Sequence, residues 1–549
     1  LTGAKYFLEP KTSNDNGKVR TKDIPAYVFP ELLYCPKCRR IVTAREAANA
    51  NPVKHDKCCL NDEKTGNRCN GTLVASRFIV ICENGHMEDF PYSWWIHGNK
   101  CCTSDKPPRI SMYNIENRSD IDSLFVKCEN CGRTRGMAGA FAPAAFGGEN
   151  GYPCGGNHPH LKDKHLRDEG ECGHPLKTRL RSSSGVYFPV TMGALSIPPW
   201  SREAVKIIEK HFAALLYMDD DGRRGYLREL TTSRVSLERL LDAYERVKTR
   251  KESAPPRCES EIYRDEYDIL SQGDVGNEEG DYSAFSAEIP RRFEDFFERV
   301  TVVDKLTVIE ALMGFTRLKP WGGGNDKNNP DAGRIVPLSS SPKDWLPAAQ
   351  LRGEGIFIRF RGDALSSWKR AIGNRYEKMS EQLSNSCLRS REDRFSEEYV
   401  LLHTFAHLLI RQLSNECGYS AASLREKIYS AFSNPKDDSE KMRGILIYLA
   451  SSDCDGSLGG LISIARNPER FGSILENMLR KAQWCSADPL CITSMGQGFD
   501  SLNYSACHDC VLLPETSCEF HNVLLDRASV AGTPEQPRLG LMGELSGTL

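Results

Sequence analysis

Between Glu397 and Cys417 apolar residues return every three or four positions, through LHTFAHLLIRQL, which is the spacing of a helix with one apolar face. The same spacing predicts helices over 202–217 and 234–251, where Val235, Leu237, Leu240, Leu241 and Tyr244 line one side. Residues 290–313 read as helical in part. Strand signals are fewer. RFIVIC (77–82) is rich in β-branched and aromatic residues, GIFIRF (355–360) alternates, and 445–450 is a short apolar run suited to a buried strand. Residues 255–281 turn polar, with Gly273, Gly276 and Gly280, and read as a linker; 321–334 reads as a loop. The stretch MAGAFAPAAFGG (137–148) suits either a short helix or a loop.

Length divides these elements among several cores, since 549 residues exceed what one core supports. The net charge of −2 offers no global positive field, so any grip on nucleic acid must come from a local patch or a partner. No apolar run approaches the ~20 residues of a membrane span, and no membrane association is expected. The first residues lack the basic-then-apolar profile of an export signal, which points to a reducing, cytoplasmic compartment. Disulfides do not persist there, and the 21 cysteines are in any case an odd number. Structural metal is the expected use of clustered thiols.

Twelve cysteines fall between Cys35 and Cys172 and five between Cys485 and Cys518; Cys258, Cys387, Cys417 and Cys454 are scattered and read as small buried side chains. Cys35-Pro-Lys-Cys38 is a knuckle that turns two thiolates toward one ion, and a distant second pair closes a tetrahedral site. Spacing does not separate Cys58 from Cys59; the expected set is Cys35, Cys38, Cys59 and Cys69. A second knuckle, Cys128-Glu-Asn-Cys131, is expected to join Cys154 and Cys172, both followed by glycine. Cys82, His86, His97 and Cys101 or Cys102 could make a further zinc site or simply belong to a core. At the C-terminal end Cys507 and Cys510 form a knuckle, joined by Cys491 and Cys518, with Cys485 as the substitute. The expected fold class is α+β multidomain: an N-terminal zinc-ribbon domain over 1–195, a central, largely helical region over 196–385 and a C-terminal α/β domain with a four-cysteine zinc site over 386–549.

Enzymatic signals are sparse. His403 and His407 stand at i and i+4, on one helix face, but Thr404 occupies the place of the glutamate in H-E-x-x-H. With Asp453, in SDCDGSLGGL, they support an alternative reading as a metal-dependent hydrolase or nuclease. No G-x4-G-K-[ST] phosphate loop, G-x-S-x-G elbow or G-x-G-x-x-G fingerprint occurs, so no motor and no complete catalytic motif is expected.

The segments LLHTFAHLLIRQLSNECGYSAASLREKIY, DCDGSLGGL and CHDCVLLPETSCEFHNVLLDR resemble the MrfA-like zinc-binding domain, marked by a His-bearing helix, a D-x2-G-x2-GG turn and a four-cysteine site ending N-x2-LDR. In the first half RFIVICENGHMEDFPYSWWIH, CENCG with AGAF, and SGVYFPVTMGALSIPPW resemble the DrmB family of the DISARM anti-phage defence system. Together they cover both ends of the chain; the middle, about 255–350, carries no such motif. The resemblance implies a motorless, zinc-bearing subunit that pairs with an ATP-driven DrmA-like helicase as a heterodimer and engages DNA. It also maps the family's four thiolates onto Cys491, Cys507, Cys510 and Cys518.

Overall fold

The computed structural model describes residues 6–8, 27–50, 56–58, 60–61, 66–100, 102, 108–115, 120–148, 151–161, 172–198, 203–232, 235–253, 259–275, 281–321, 334–341, 343–430, 441–451 and 459–548. Its α+β architecture falls into two compact units, Pro10–Thr191 with Leu312–Leu346, and Leu1–Glu9 with Met192–Ala311 and Pro347–Leu549. Residues on either side of 385 therefore share one unit, and Leu312–Leu346 groups with the N-terminal residues.

The N-terminal unit is built on three three-stranded antiparallel sheets with strands of two to five residues. Leu32–Tyr34 lies between Ile41–Thr43 and Val74–Ala75; Phe78–Ile81 lies between Lys177–Leu180 and Met87–Asp89; Leu124–Cys128 lies between Ile110–Asn114 and Thr134–Gly136. The RFIVIC strand is where its composition places it, buried along its whole length. Its core gathers Phe78, Phe90, Trp95 and Phe146, and the Arg135 guanidinium lies over the Trp95 ring, 3.5 Å from its centroid. The stretch 137–148 starts with a single 3-10 turn, Ala138–Phe141.

The second unit is organised by a seven-stranded sheet whose main path runs Phe188–Leu195, Phe297–Thr316, Trp345–Phe360, Arg443–Ser451, Leu424–Ser430. The pairings among the last four of these are antiparallel. Two segments differ from the sequence expectation. Residues 290–313 hold only one helical turn, Arg291–Phe293, before the strand Phe297–Thr316. Its β-branched residues Thr301, Val302, Val303, Thr307 and Val308 favour a strand. The alternation is hidden because the pairing register shifts twice: Val300 and Val302 face one core, while Val303, Leu306 and Val308 face another. The polar stretch 255–281 contains the helix Glu259–Gln272, whose Tyr263, Tyr267 and Leu270 are buried against that second core. Few apolar residues suffice because the helix packs through large tyrosines.

Helix Glu397–Cys417 forms as its pattern predicts. Ser396 caps it by accepting from Tyr399 N, and Gly418 ends it in the left-handed region at φ 71°. It is not a one-faced helix, since Tyr399 through Ile410 are all buried. Strands Leu424–Ser430 and Arg443–Ser451 pack on one side and helix Pro468–Ala482 on another. Helices Glu203–Leu215, Asp220–Glu229 and Leu237–Ser253 form a satellite core of their own, through Ile208, Phe212, Leu240 and Tyr244. No described helix is long and apolar enough to cross a membrane.

Candidate metal centres

Five groups of four metal-ligating side chains occur among the described residues, each with its donor atoms within 4.8 Å of one another. Three lie in the N-terminal unit. The first joins Cys35 and Cys38 to Cys58 and Cys69, with Sγ atoms 3.7 Å apart for Cys35–Cys69 and 3.6 Å for Cys38–Cys58. A disulfide needs about 2.05 Å. A tetrahedral ion at ~2.3 Å from each sulfur sets them about 3.8 Å apart, so the spacing is that of a metal cage. The knuckle turns through Arg39, at φ 62°, whose N–H donates to Cys35 O at 2.7 Å. Gly71 passes so close behind the site that a Cβ there would stand 2.6 Å from Cys35 Sγ. Cys58 is the member of the Cys58/Cys59 pair that the structure brings in; Cys59, the expected ligand, lies outside the described residues.

The expected quartet Cys128, Cys131, Cys154 and Cys172 is not brought together. Cys154 and Cys172 meet Cys82 and His86. His86 Nδ1 is 3.4 Å from Cys82 Sγ and 3.5 Å from Cys154 Sγ, and Cys82 and Cys172 are 3.7 Å apart. The strand Phe78–Ile81 delivers Cys82, and the turn at Gly85 brings His86 round to the same point. Cys128 and Cys131 instead meet His97 and Cys102. His97 Nε2 is 3.3 Å from Cys131 Sγ, while its Nδ1–H donates to Ser93 O at 2.8 Å; the carbonyl can only accept, so the tautomer leaves the Nε2 lone pair free for an ion. The candidate further site read from Cys82, His86, His97 and Cys102 is thus divided between two centres, each completed by one pair of the supposed ribbon. Cys101 lies outside the described residues.

Both centres hold thiols poised to ionise. A hydrogen bond from Cys154, working against burial, holds Cys82 down at about 3. The Arg133 backbone N–H, with His97, holds Cys131 at about 6. A thiolate, not a thiol, is the ligand.

In the second unit Cys485, Cys491, Cys507 and Cys510 form a quartet, with Sγ separations of 3.4 Å for Cys485–Cys507, 3.7 Å for Cys491–Cys510 and 3.6 Å for Cys507–Cys510. Cys485, the substitute in the sequence reading, is a member, and Cys518 is not. The supports are specific. Arg411 reaches from its helix to the carbonyls of His508, Asp509 and Leu512 around the knuckle. Asp488 accepts from Cys485 N at 2.7 Å and is itself held by the buried Arg527. Burial pushes the Cys491 thiol up to about 11.

Cys518 lies with His403, His407 and Glu426, all four buried. His403 Nε2 is 3.2 Å from Cys518 Sγ and 3.1 Å from Glu426 Oε1; His407 Nε2 is 3.2 Å from the same oxygen. Burial alone would raise the Glu426 carboxyl, but His407 and His403 hold it well below the carboxylate range. Glu426 was not among the sequence candidates: it is one charge in LREKIYS, and nothing local marks it. Asp453, the third member of the hydrolase alternative, lies outside the described residues.

The thiolate and imidazole donor sets are compatible with zinc. A domain of unknown function (DUF8724) matches residues 2–188, a span that includes all three N-terminal centres. The MrfA Zn-binding domain matches residues 405–511, a span that includes Cys485, Cys491, Cys507 and Cys510 and stops short of Cys518. A DISARM protein DrmB of Bacillus paralicheniformis is 31% identical over 552 residues, covering 96% of this chain and 92% of that one. Among solved structures, the DUF1998 helicase MrfA bound to DNA is 14% identical over a match that covers 42% of this chain and 23% of that one, with a TM-score of 0.19.

Proposed function

This chain belongs to the DrmB family of DISARM proteins, and on that premise we propose that it is the non-motor, zinc-stabilised subunit of a helicase complex that engages DNA in anti-phage defence. The observation that carries the reading is the length of the match. It runs through nearly all of both chains, so the role of the whole relative is the one carried over, not that of one module. The MrfA Zn-binding domain within residues 405–511 points the same way.

The sequence has no phosphate loop, so ATP-driven translocation falls to a DrmA-like partner and this chain is not itself an enzyme. DNA is held by a local surface, because the net charge of −2 supplies no general attraction. One such surface is a cleft of about 230 Å³ beside the Cys485 quartet, where Lys481 and the largely exposed Trp484 stand next to Cys485 and Cys510. A lysine on phosphate and an indole under a base are the parts of a single-strand platform. Lys481 stands in the last turn of helix Pro468–Ala482, and the metal would hold the segment that follows it, where Trp484 lies.

The test is co-expression with the DrmA-like helicase, followed by DNA affinity measured against salt. The expected result is a stable complex whose affinity falls steeply as salt rises, with Trp484→Ala weakening DNA but not the complex. No co-purification, or an affinity indifferent to salt, overturns the reading.

A further inference from the structure

From the convergence of His403, His407, Glu426 and Cys518 we infer a fifth metal site, closed and structural, that takes a divalent zinc-class cation and has no catalytic role. It is distinct from the Cys485 quartet, which has its own four thiols.

His407 Nδ1 faces the carbonyl of Val511 at 3.1 Å, so it carries the proton, and a neutral ring then points the Nε2 lone pair at Glu426 Oε1. The same oxygen lies 3.1 Å from His403 Nε2, which in turn is 3.2 Å from Cys518 Sγ. Cys518 Sγ receives the backbone N–H groups of Phe520 at 3.3 Å and Asn522 at 3.2 Å, but burial and the neighbouring Glu426 push the thiol well up, so a thiolate here calls for a cation beside it. Two nitrogens, one oxygen and one sulfur therefore converge, all within 4.8 Å of one another. Glu426 Oε2 and His403 Nδ1 have no hydrogen-bond partner, although both residues are completely buried.

Charge and size agree with a dication. One carboxylate and one thiolate bring two negative charges, which a divalent ion balances, and a buried charge must be balanced. The other nearby anion, Glu519, is engaged by Arg394, Tyr263 and Tyr399. Ligands at ~2.0–2.3 Å around a tetrahedral ion stand about 3.3–3.6 Å apart, and the separations here fall a few tenths short of that. Two imidazoles, a carboxylate and a thiolate form a borderline donor set, suited to zinc rather than to magnesium or calcium.

The site is closed because the protein supplies all four donors from buried residues, which leaves no position for water or substrate. It joins helix Glu397–Cys417, strand Leu424–Ser430 and the segment after the Cys507 knuckle. Val511, whose carbonyl fixes His407, follows Cys510 directly, so one stretch of backbone braces both centres of this unit.

The experiment loads the full chain with cadmium and reads the ¹¹³Cd resonances, whose shifts sort sites by thiolate number. The expected spectrum has two four-thiolate, two three-thiolate and one single-thiolate resonance. In Cys518→Ser and in His407→Gln the single-thiolate resonance is lost, and zinc content falls by one equivalent while the Cys485 quartet stays loaded. A wild-type spectrum with the other four resonances and no single-thiolate one overturns the proposal in favour of a buried histidine–glutamate ion pair. So does a folded Cys518→Ser chain that keeps the full zinc content. The wild-type spectrum decides the matter even if a variant fails to fold.

Discussion

The two units differ in what fills their interiors. In the N-terminal unit no strand of its three sheets exceeds five residues, and around the first centre Cys35, Cys58 and Cys69 are themselves half of a small core completed by Val42, Ala47 and Leu73. In the other unit strands of 16 and 20 residues and the buried helix Glu397–Cys417 enclose a core that runs from Phe293 to Met542. Sheets so small bury too little apolar surface to offset chain entropy, and metal–thiolate bonds take up the difference. The larger unit has an extensive apolar core of its own, and metal at its cysteine quartet would fasten a loop region onto that core.

The sharpest way to break this comparison is to remove the metals. Structural zinc contributes on the order of 10 kcal/mol per site at neutral pH, more than a small domain's whole stability. Chelation is expected to abolish amide protection in the three N-terminal sheets, whereas in the second unit only the neighbourhood of 485–523 loosens and Trp345–Phe360 stays protected. Equal loss in both units by hydrogen exchange would refute the contrast. The converse probe is Phe405→Ala, which removes a ring packed edge-on against Phe297 and Phe360. A cost of about 3–5 kcal/mol is expected in denaturant unfolding of the second unit, with the N-terminal centres still loaded.

Asp526→Asn is expected to cost about 2–3 kcal/mol in the same unit. The buried carboxylate accepts from Arg375 Nε and Tyr376 OH, both at 2.8 Å, and no metal is involved. In the N-terminal unit Gly71→Ala pushes a methyl group against Cys35 Sγ. About 1–3 kcal/mol of overpacking should appear as faster metal release from the first centre alone, followed by metal-exchange kinetics. Asp242→Ala, which breaks the exposed Arg246–Asp242 pair at 2.8 Å, should change thermal stability by less than about 0.5 kcal/mol and serves as the baseline.

Legibility followed the range of the signal. The helix at 397–417, the strand 78–81 and every C-x2-C knuckle carry their marks within one or two turns of chain, and all were readable. The helix Glu259–Gln272 was hidden because its burial rests on three large side chains amid charges. The strand Phe297–Thr316 was hidden because two register shifts broke its alternation. In the metal centres the residue types were nearly all foreseen, and the partners only in part: Cys35, Cys38 and Cys69 meet as expected, as do Cys491, Cys507 and Cys510. Cys154 was matched to the nearest upstream knuckle, whereas it meets Cys82 and His86, 72 and 68 positions away along the chain.

The sequence alone determined that this protein is a zinc-binding α+β chain of its family, because cysteine knuckles, glycine turns and family motifs are local facts of order. Only the tertiary structure decided which thiols converge, that Cys485 and not Cys518 joins the C-terminal quartet, and that Glu426 lies beside His403 and His407. A tetrahedral site constrains distances of a few ångströms in space and none along the chain. Its membership is therefore settled by the packing that brings distant segments together, not by spacing.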